Sequence, residues 1–136
     1  MTNFNREIVL VKTDKLLHIE GYGIKKVEKL KNKIIIKGIW TVPLKVDKKN
    51  FLVMDGQHRM EVAKSIGLTL VPCILYSYKE VKVWSLRENH RVSKDSIVKR
   101  ALSGNIYPFK TAMHLFPDSA DLTCSYNLND LKREVF

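Results

Sequence analysis

The sequence predicts one small domain of the α+β class, and three observations support this prediction. The chain has 136 residues, a length at which one core buries roughly two-thirds of the unfolded surface without metal or disulfide. Short apolar runs rich in β-branched residues, which are typical of strands, occur between segments with helical apolar spacing. No repeat or low-complexity linker divides the chain, so we expect residues 1–136 to form a single domain.

The first third is predicted to contain a strand and an amphipathic helix. Residues 8–11 are four consecutive aliphatic residues, which predicts the strand. Thr13 and Asp14 then offer caps for a helical turn. Further on, apolar residues recur at steps of three, three and four with lysines between them, which predicts a helix ended by Gly38. These apolar residues are Ile24, Val27, Leu30 and Ile34.

The middle of the chain is predicted to form a β-hairpin followed by a helix. Residues 42–46 and 51–54 are its two strands, and residues 47–50 form the turn between them. The second strand leads directly into residues 55–59, Asp-Gly-Gln-His-Arg, and Gly67 is placed to end the helix that follows. That helix is predicted from the spacing of Met60, Ala63 and Ile66.

The remaining residues are predicted to add two strands and two helices. Residues 70–76 form a strand, and residues 81–84 alternate more weakly and form another. Ser93 is the N-cap of a helix that Gly104 ends. Residues 105–117 contain two prolines and are predicted to be irregular. A final helix is predicted from Leu128, Leu131 and Val135.

The chain is strongly basic, with 24 Lys and Arg against 14 Asp and Glu and a formal charge of +10. Lysine dominates, with 18 Lys to 6 Arg, whereas proteins that read base edges rely on arginine. Most of the excess lies in residues 12–49, much of it on the polar face of the first predicted helix. Three interpretations remain open: a solvated surface, an attraction for a small polyanion such as a nucleotide, and a nucleic-acid-binding face.

Composition disfavours membrane, exported and disulfide-stabilised proteins. The longest apolar runs are too short to span a bilayer, and the N-terminus lacks the apolar region of a signal peptide. Cys73 and Cys124 have no metal-type spacing and suit a reducing compartment. We therefore expect a cytoplasmic protein with no membrane partner.

The clearest chemical signal is the junction at residues 55–59. A strand-to-helix turn aims backbone N–H groups at the helix entrance, where an anion is favoured. Gly56 permits close approach, His58 adds a donor and Arg59 can hold phosphate oxygens in a fork. Asp55 would repel phosphate unless a divalent cation lies between them, which favours a nucleotide with Mg²⁺. The alternative is a tight turn followed by a surface arginine.

The same residues carry a resemblance to a known family. The segment VMDGQHRMEVAKSIGLTLVPCILY resembles the signature of the ParB/sulfiredoxin-like superfamily, in which a DGxHR-type turn binds nucleotide phosphates. The similarity extends over roughly residues 7–78. It implies a small α+β domain with a mixed β-sheet flanked by helices.

Three branches of that superfamily can be compared with this sequence. Sulfiredoxins need a cysteine in the phosphate turn as the attacking thiolate, and this turn contains Gln57 instead. The chromosome-partitioning branch attaches a helix-turn-helix reader to a CTP-operated switch, and the proline-broken segment after Gly104 does not fit a recognition helix. The first activity is rejected, and the second would lack its usual reader.

The third branch, the free L-serine kinases, accounts for residues 104–114. This segment resembles the motif G-x-x-x-P-P-K-T-T-x-H of those kinases, except that Phe109 replaces a proline and Ala112 a threonine. The resemblance implies that Glu20 is the catalytic base and that Asp55 orients the hydroxyl or holds Mg²⁺. The implied phosphate-binding residues are Gly56, Gln57, His58, Arg59, Lys110 and Thr111. The implied substrate contacts are His114 and Trp84.

The reaction implied is the transfer of a terminal phosphoryl group from ATP or ADP to free L-serine, giving O-phospho-L-serine. A nucleotide-responsive DNA-binding or regulatory module is the main alternative, and a degenerate protein that only binds nucleotide is another. Each residue also has a plainer interpretation: Glu20 as a helix-end carboxylate, Lys110 as a solvated lysine, His114 and Trp84 as packing residues. The sequence does not determine the oligomeric state or choose between the two donors.

Overall fold

The computed structural model describes residues 6–118 and 122–133. The strands are β1 (Ile8–Lys12), β2 (Ile39–Trp40), β3 (Leu44–Asp47), β4 (Val53–Asp55), β5 (Leu70–Tyr76), β6 (Lys82–Ser85), β7 (Ala112–Leu115) and β8 (Tyr126–Asn127). The helices are α1 (Ile24–Lys37), α2 (Gln57–Ser65) and α3 (Lys94–Ser103). Short 3-10 turns occur at Thr13–Lys15, Tyr78–Glu80 and Asp130–Lys132.

The central sheet has four strands in the order β1-β5-β3-β4. β5 pairs antiparallel with β1 and parallel with β3, and β3 pairs antiparallel with β4. The α+β class and the mixed sheet flanked by helices are therefore confirmed. Because β4 runs antiparallel to β3, its last residue, Asp55, lies opposite Lys45 near the start of β3, and α2 begins from there.

Helix α1 forms where the apolar spacing predicts it. Val27 is buried, and Leu30 and Ile34 are packed on the main core, while Lys29 and Lys33 between them are exposed. Ile24, expected on the apolar face, is 75% exposed instead. Gly38 ends the helix in the left-handed conformation with φ of 74°. The helix packs on α2, so the two helices cover one face of the sheet together.

Helix α3 begins and ends at the residues that the sequence indicates. The Ser93 hydroxyl accepts from the backbone N–H of Ser96, and the Ser96 hydroxyl accepts from the N–H of Ser93. This reciprocal capping box satisfies two N–H groups of the first turn. Gly104 follows the last turn with φ of 80°. Ile97 and Ala101 pack on Ile19 and Tyr107, which joins α3 to the segment that carries the site.

Two sequence-based expectations are wrong. The final helix is replaced by the short strand β8, which pairs with β2, and by the 3-10 turn at Asp130–Lys132. The three-residue spacing of Leu128 and Leu131 suits a single tight turn, in which the Leu131 N–H donates to the Leu128 carbonyl. Val135 lies outside the described residues. The segment predicted to be irregular contains β7, because β6 offers it an antiparallel partner.

The core of the described residues consists of three apolar clusters. The largest lies between the sheet and the helices and includes Leu44, Val46 and Met60. A second cluster around Ile19 and Tyr107 supports the loop that follows α3. Among residues 6–118 and 122–133, no helix is long and apolar enough to cross a membrane.

Candidate active site

A cavity of about 280 Å³ lies at the junction of β4 and α2. Its polar wall comes from the predicted turn, because Gly56 turns the chain with φ of 116° and α2 begins at Gln57. The first N–H groups of a helix have no acceptor within it, so they are available to a ligand at this entrance. The lining residues are Glu20, Met54, Asp55, Gly56, Gln57, His58, Arg59, Phe109, Ala112, Met113, His114 and Phe116.

The side chain of Gln57 holds the turn in place through hydrogen bonds within the protein. It is 6% exposed, and its amide nitrogen donates to the Val53 carbonyl. Its amide oxygen lies 2.6 Å from Nδ1 of His18, whose Nε2 lies 2.7 Å from Oε2 of Glu61. The His18 ring therefore bridges the amide oxygen of Gln57 and the carboxylate of Glu61. Gln57 can therefore contact a ligand through its backbone N–H, while its side chain ties β4 to α2.

Glu61, on α2, belongs to the same hydrogen-bond network. The Tyr22 hydroxyl donates to Oε1 of Glu61 over 2.9 Å, and His18 contacts Oε2. Burial opposes ionisation, but the hydrogen bonds from His18 and Tyr22 hold the pKa of Glu61 below its ordinary value. This network joins His18 and Tyr22, which flank Glu20 in the sequence, to the first two turns of α2.

The His58 ring is held by the chain segment before α1. Its Nε2 accepts from the Gly23 N–H over 3.1 Å, and its ring meets Phe109 edge-on at 5.2 Å between centroids. Burial lowers the pKa of His58, and the charges of Lys26 and other nearby cations lower it further. The neutral ring therefore carries its proton on Nδ1, which makes that nitrogen a donor.

Glu20 also lines the cavity. Its Oε2 accepts from the backbone N–H groups of Thr111 at 3.0 Å and Ala112 at 2.9 Å. Backbone pairing with Tyr107 fixes the chain around it. Burial raises the pKa of Glu20, and the two backbone hydrogen bonds oppose this only in part. The charge of Asp55 also raises that pKa, so the two carboxylates interact across the cavity.

The loop at residues 108–111 is held by its own polar groups and by one arginine. The Thr111 hydroxyl donates to the Pro108 carbonyl over 2.6 Å and accepts from Nε of Arg87 over 3.0 Å. Arg87 also donates to the Phe109 carbonyl. Lys110 adopts a positive φ of 57°, so the backbone turns at this residue. Phe109, directly before it, lines the cavity.

His114 closes the far side of the cavity from β7. Its Nε2 lies 3.1 Å from the Tyr78 hydroxyl, and burial lowers the pKa of His114 to about 4. The ring is therefore neutral near pH 7 and lines the cavity as an uncharged group.

The lowered pKa of His114 predicts a loss of stability in mild acid. Its stabilising contribution is complete above the unfolded pKa of about 6.5 and is lost as the pH falls toward about 4. We expect the free energy of unfolding of the wild type to fall about 2–3 kcal/mol further across this interval than that of His114→Gln. Urea unfolding of both proteins at several pH values measures the difference. Equal pH dependence would contradict a buried neutral His114.

Parts of this chain are similar in sequence to known proteins. Over 57 residues, 42% of this chain and 29% of the relative, the chain is 32% identical to a ParB-like protein of Sulfolobus acidocaldarius. Over 86 residues, 57% of this chain and 34% of the relative, it is 29% identical to an ATP-dependent L-serine kinase of Desulfurococcus mucosus. The chain thus spans about a third of the length of the curated relatives it matches. No protein-family model matches the chain.

The similarity in structure extends over nearly the whole chain. A free serine kinase in complex with AMP superposes with a TM-score of 0.81 at 15% identity, covering 91% of this chain and 93% of the other. A mutant free serine kinase in complex with ADP gives 0.80 at 14% identity, with the same coverage. The chain has the ParB/sulfiredoxin-like fold. The resemblance noted from the sequence is confirmed at this level.

Within the ParB/sulfiredoxin-like fold, most of the predicted site residues meet in one place. The predicted residues in the cavity lining are Glu20, Asp55, Gly56, Gln57, His58, Arg59 and His114. Lys110 adjoins the lining residue Phe109, whereas Thr111 is fully buried and its hydroxyl is engaged within its own loop. Trp84 lies outside the lining, on β6 opposite the lining residue Met113. The phosphate contact of Thr111 and the substrate contact of Trp84 stay predictions.

The apolar part of the lining was not predicted from the sequence. It consists of Met54, Phe109, Ala112, Met113 and Phe116. Apolar side chains in a cavity have the same sequence pattern as core residues, so no signal distinguishes them. Arg87 was also missed, although an arginine in a lysine-rich chain and outside any helix could have drawn attention to it.

The turn at residues 55–59 contains no thiol. Cys73 is fully buried in β5, and burial raises its pKa to about 12. A thiol in that environment is a poor nucleophile. This agrees with the rejection of sulfiredoxin chemistry.

The acidic residues of the cavity fit a magnesium ion that is shared with a nucleotide. Among residues 6–118 and 122–133, no cluster of three or more His, Cys, Asp or Glu could hold a metal by itself. Mg²⁺ commonly binds one or two carboxylates together with substrate phosphates. The exposed Asp55 at the end of β4, near Glu20, offers such a partial set.

Proposed function

We propose that this protein is a free L-serine kinase that uses ATP or ADP as donor and forms O-phospho-L-serine. Residues 1–136 would form one nucleotide-binding kinase domain. The observation that carries the proposal is the position of Glu20, which lines the same cavity as the start of α2. Both of its hydrogen bonds use Oε2, so among the described residues Oε1 has no partner and is available to a substrate hydroxyl.

The proposed reaction needs a base, an aligned hydroxyl and neutralisation of phosphate charge. Glu20 Oε1 accepts the proton of the serine hydroxyl as its oxygen attacks the terminal phosphorus. The new O–P bond forms while the bond to the bridging oxygen breaks, and the shortened nucleotide leaves with that electron pair. The raised pKa of Glu20 makes its carboxylate a stronger base than an exposed one.

The phosphate side of the site is proposed to act by hydrogen bonding and charge. The first N–H groups of α2, Nδ1 of His58 and the Arg59 guanidinium would bind phosphate oxygens. Asp55 would orient the serine hydroxyl or hold Mg²⁺ together with those oxygens. Bound Mg²⁺ would supply neutralisation of the phosphate charge. His114 would contact the substrate as a neutral donor or acceptor.

Similarity to named proteins supports the proposal. The relative from Desulfurococcus mucosus is named an ATP-dependent L-serine kinase, and free serine kinases with AMP or ADP share this fold. The motif residues 20, 55–59 and 104–114 occur in the order that those kinases would require.

A nucleotide-responsive DNA-binding or regulatory module is the second candidate. It is favoured by the ParB-like relative and by the charge of +10. Contacts made only by lysines would lose affinity steeply with salt and show no sequence preference. Sequence-selective binding at physiological salt, without phosphoserine formation, would favour this candidate.

The kinase proposal is tested by incubating the protein with Mg²⁺, free L-serine and either ATP or ADP. Phosphorus NMR should show O-phospho-L-serine growing with one donor while that donor is consumed, and should show neither change without serine. Nucleotide binding is measured in parallel by calorimetry. A protein that binds nucleotide but yields no phosphoserine from either donor would be a binding module, and the kinase proposal would be wrong.

A further inference from the structure

Two lysines from distant parts of the sequence share one aromatic ring at the edge of the cavity. Nζ of Lys26, in the first turn of α1, lies 4.9 Å from the centre of the Phe109 ring. Nζ of Lys110 lies 5.4 Å from the same centre. A cation within about 6 Å of an aromatic ring is attracted to its face. Both ammonium groups therefore lie close to the Phe109 ring, which lines the cavity.

These two ammonium groups repel each other. The charge of Lys110 lowers the pKa of Lys26, and it acts together with slight desolvation. Among the described residues, neither lysine forms a salt bridge, since the ion pairs found there involve Arg6, His18 and Lys64. Like charges that are held together without a counterion favour the binding of an anion between them.

The pair stands on the side of the cavity where phosphoryl transfer is proposed. Lys110 directly precedes Thr111 and Ala112, whose N–H groups hold Glu20. The Phe109 ring packs on the His58 ring, whose Nε2 accepts a hydrogen bond from the Gly23 N–H. Lys26 lies three residues after Gly23, in the first turn of α1. The lysines thus lie next to Phe109, close enough to His58 for their charges to act on it, and Lys110 adjoins the loop that holds Glu20.

We propose that Lys26 and Lys110 form a two-lysine clamp that binds the terminal phosphoryl group of the nucleotide. This inference rests on the proposed function, since it assigns the end of the phosphate chain to one part of the site. Lys26 would thereby let the site distinguish nucleotides by the number of their phosphates. Its contact is available to a nucleotide with a phosphoryl group beyond the first phosphate.

The test compares binding of AMP, ADP and ATP by calorimetry in the presence of Mg²⁺. Lys26→Met keeps the apolar stem on Phe109 and removes only the charge. A lost charge-assisted contact should weaken binding of ADP or ATP, whichever is the donor, about tenfold and that of AMP less than about twofold. Lys33→Ala is the matched control, because Lys33 is an exposed lysine two turns further along α1. It should bind all three nucleotides like the wild type.

The stability of the ligand-free variant adds a second readout. Removal of the repulsion should leave the melting temperature of Lys26→Met equal to or above that of the wild type, whereas loss of a structural contact would lower it. Equal weakening for AMP and the donor, or no weakening at all, would overturn the clamp. These measurements need no turnover, so an inactive wild type with the expected binding pattern would contradict the kinase and leave the clamp standing.

Discussion

Glu20→Gln is expected to fold normally and to lose at least about 100-fold in turnover, because general-base catalysis is worth about that much or more. The amide oxygen of glutamine can accept the same two N–H groups, from Thr111 and Ala112, that the carboxylate Oε2 accepts. The loop beyond Pro108 should therefore keep its position. The amide cannot take a proton at neutral pH, so only the chemical step is removed.

The measurement is the rate of O-phospho-L-serine formation, with nucleotide affinity and melting temperature as controls. Both controls should match the wild type. Unchanged turnover would exclude Glu20 as the base, and a large loss of nucleotide affinity would show that the substitution disturbs the site more widely.

The pH profile offers an independent check of the same role. Since burial raises the pKa of Glu20, the wild-type rate should begin to fall at a pH above the range of an ordinary glutamate as the solution is acidified. The residual activity of Glu20→Gln should lack this acidic limb. An identical limb in both proteins would assign the titration to another group.

Gly56→Ala should have the largest effect on stability, with an expected loss of about 2–4 kcal/mol from backbone strain and overpacking. Gly56 has φ of 116°, and a Cβ at this position would lie 2.6 Å from Cδ2 of Leu44. Leu44 is fully buried in the main core, so it has little room to move. The same shift would displace the start of α2, and nucleotide binding should weaken with it.

Two variants separate the causes of this loss, each measured by urea unfolding. Gly67→Ala is the matched control, because Gly67 also has a positive φ, of 76°, but a methyl group added there would meet no atom within 4 Å. It should lose only the strain part, about 1–2 kcal/mol. In a Leu44→Val background the Cδ2 methyl is absent, so the loss from Gly56→Ala should shrink. Equal losses for Gly56→Ala in both backgrounds would contradict the steric account.

The local parts of the fold follow from short-range patterns in the sequence. Helix α3 begins at Ser93 and ends at Gly104 because its capping groups are close in the chain. The turn at Gly56 is equally local in its backbone, since glycine permits the positive φ of 116°. The errors fall where partners are distant. β7 needed β6, and β8 needed β2, and no short window contains both members of either pair.

The sequence by itself determined the elements of the mixed sheet and the motif residues that the proposed chemistry would use. Only the tertiary structure decided how those residues are divided: the Gln57 side chain and the Thr111 hydroxyl form hydrogen bonds within the protein, while Glu20 lines the cavity beside the start of α2. It also brought Lys26 to Lys110 around Phe109, although 84 positions separate the two lysines in the printed sequence. Propensities and caps act over a few residues, whereas packing and charge act through space, so the second set of facts requires the folded chain.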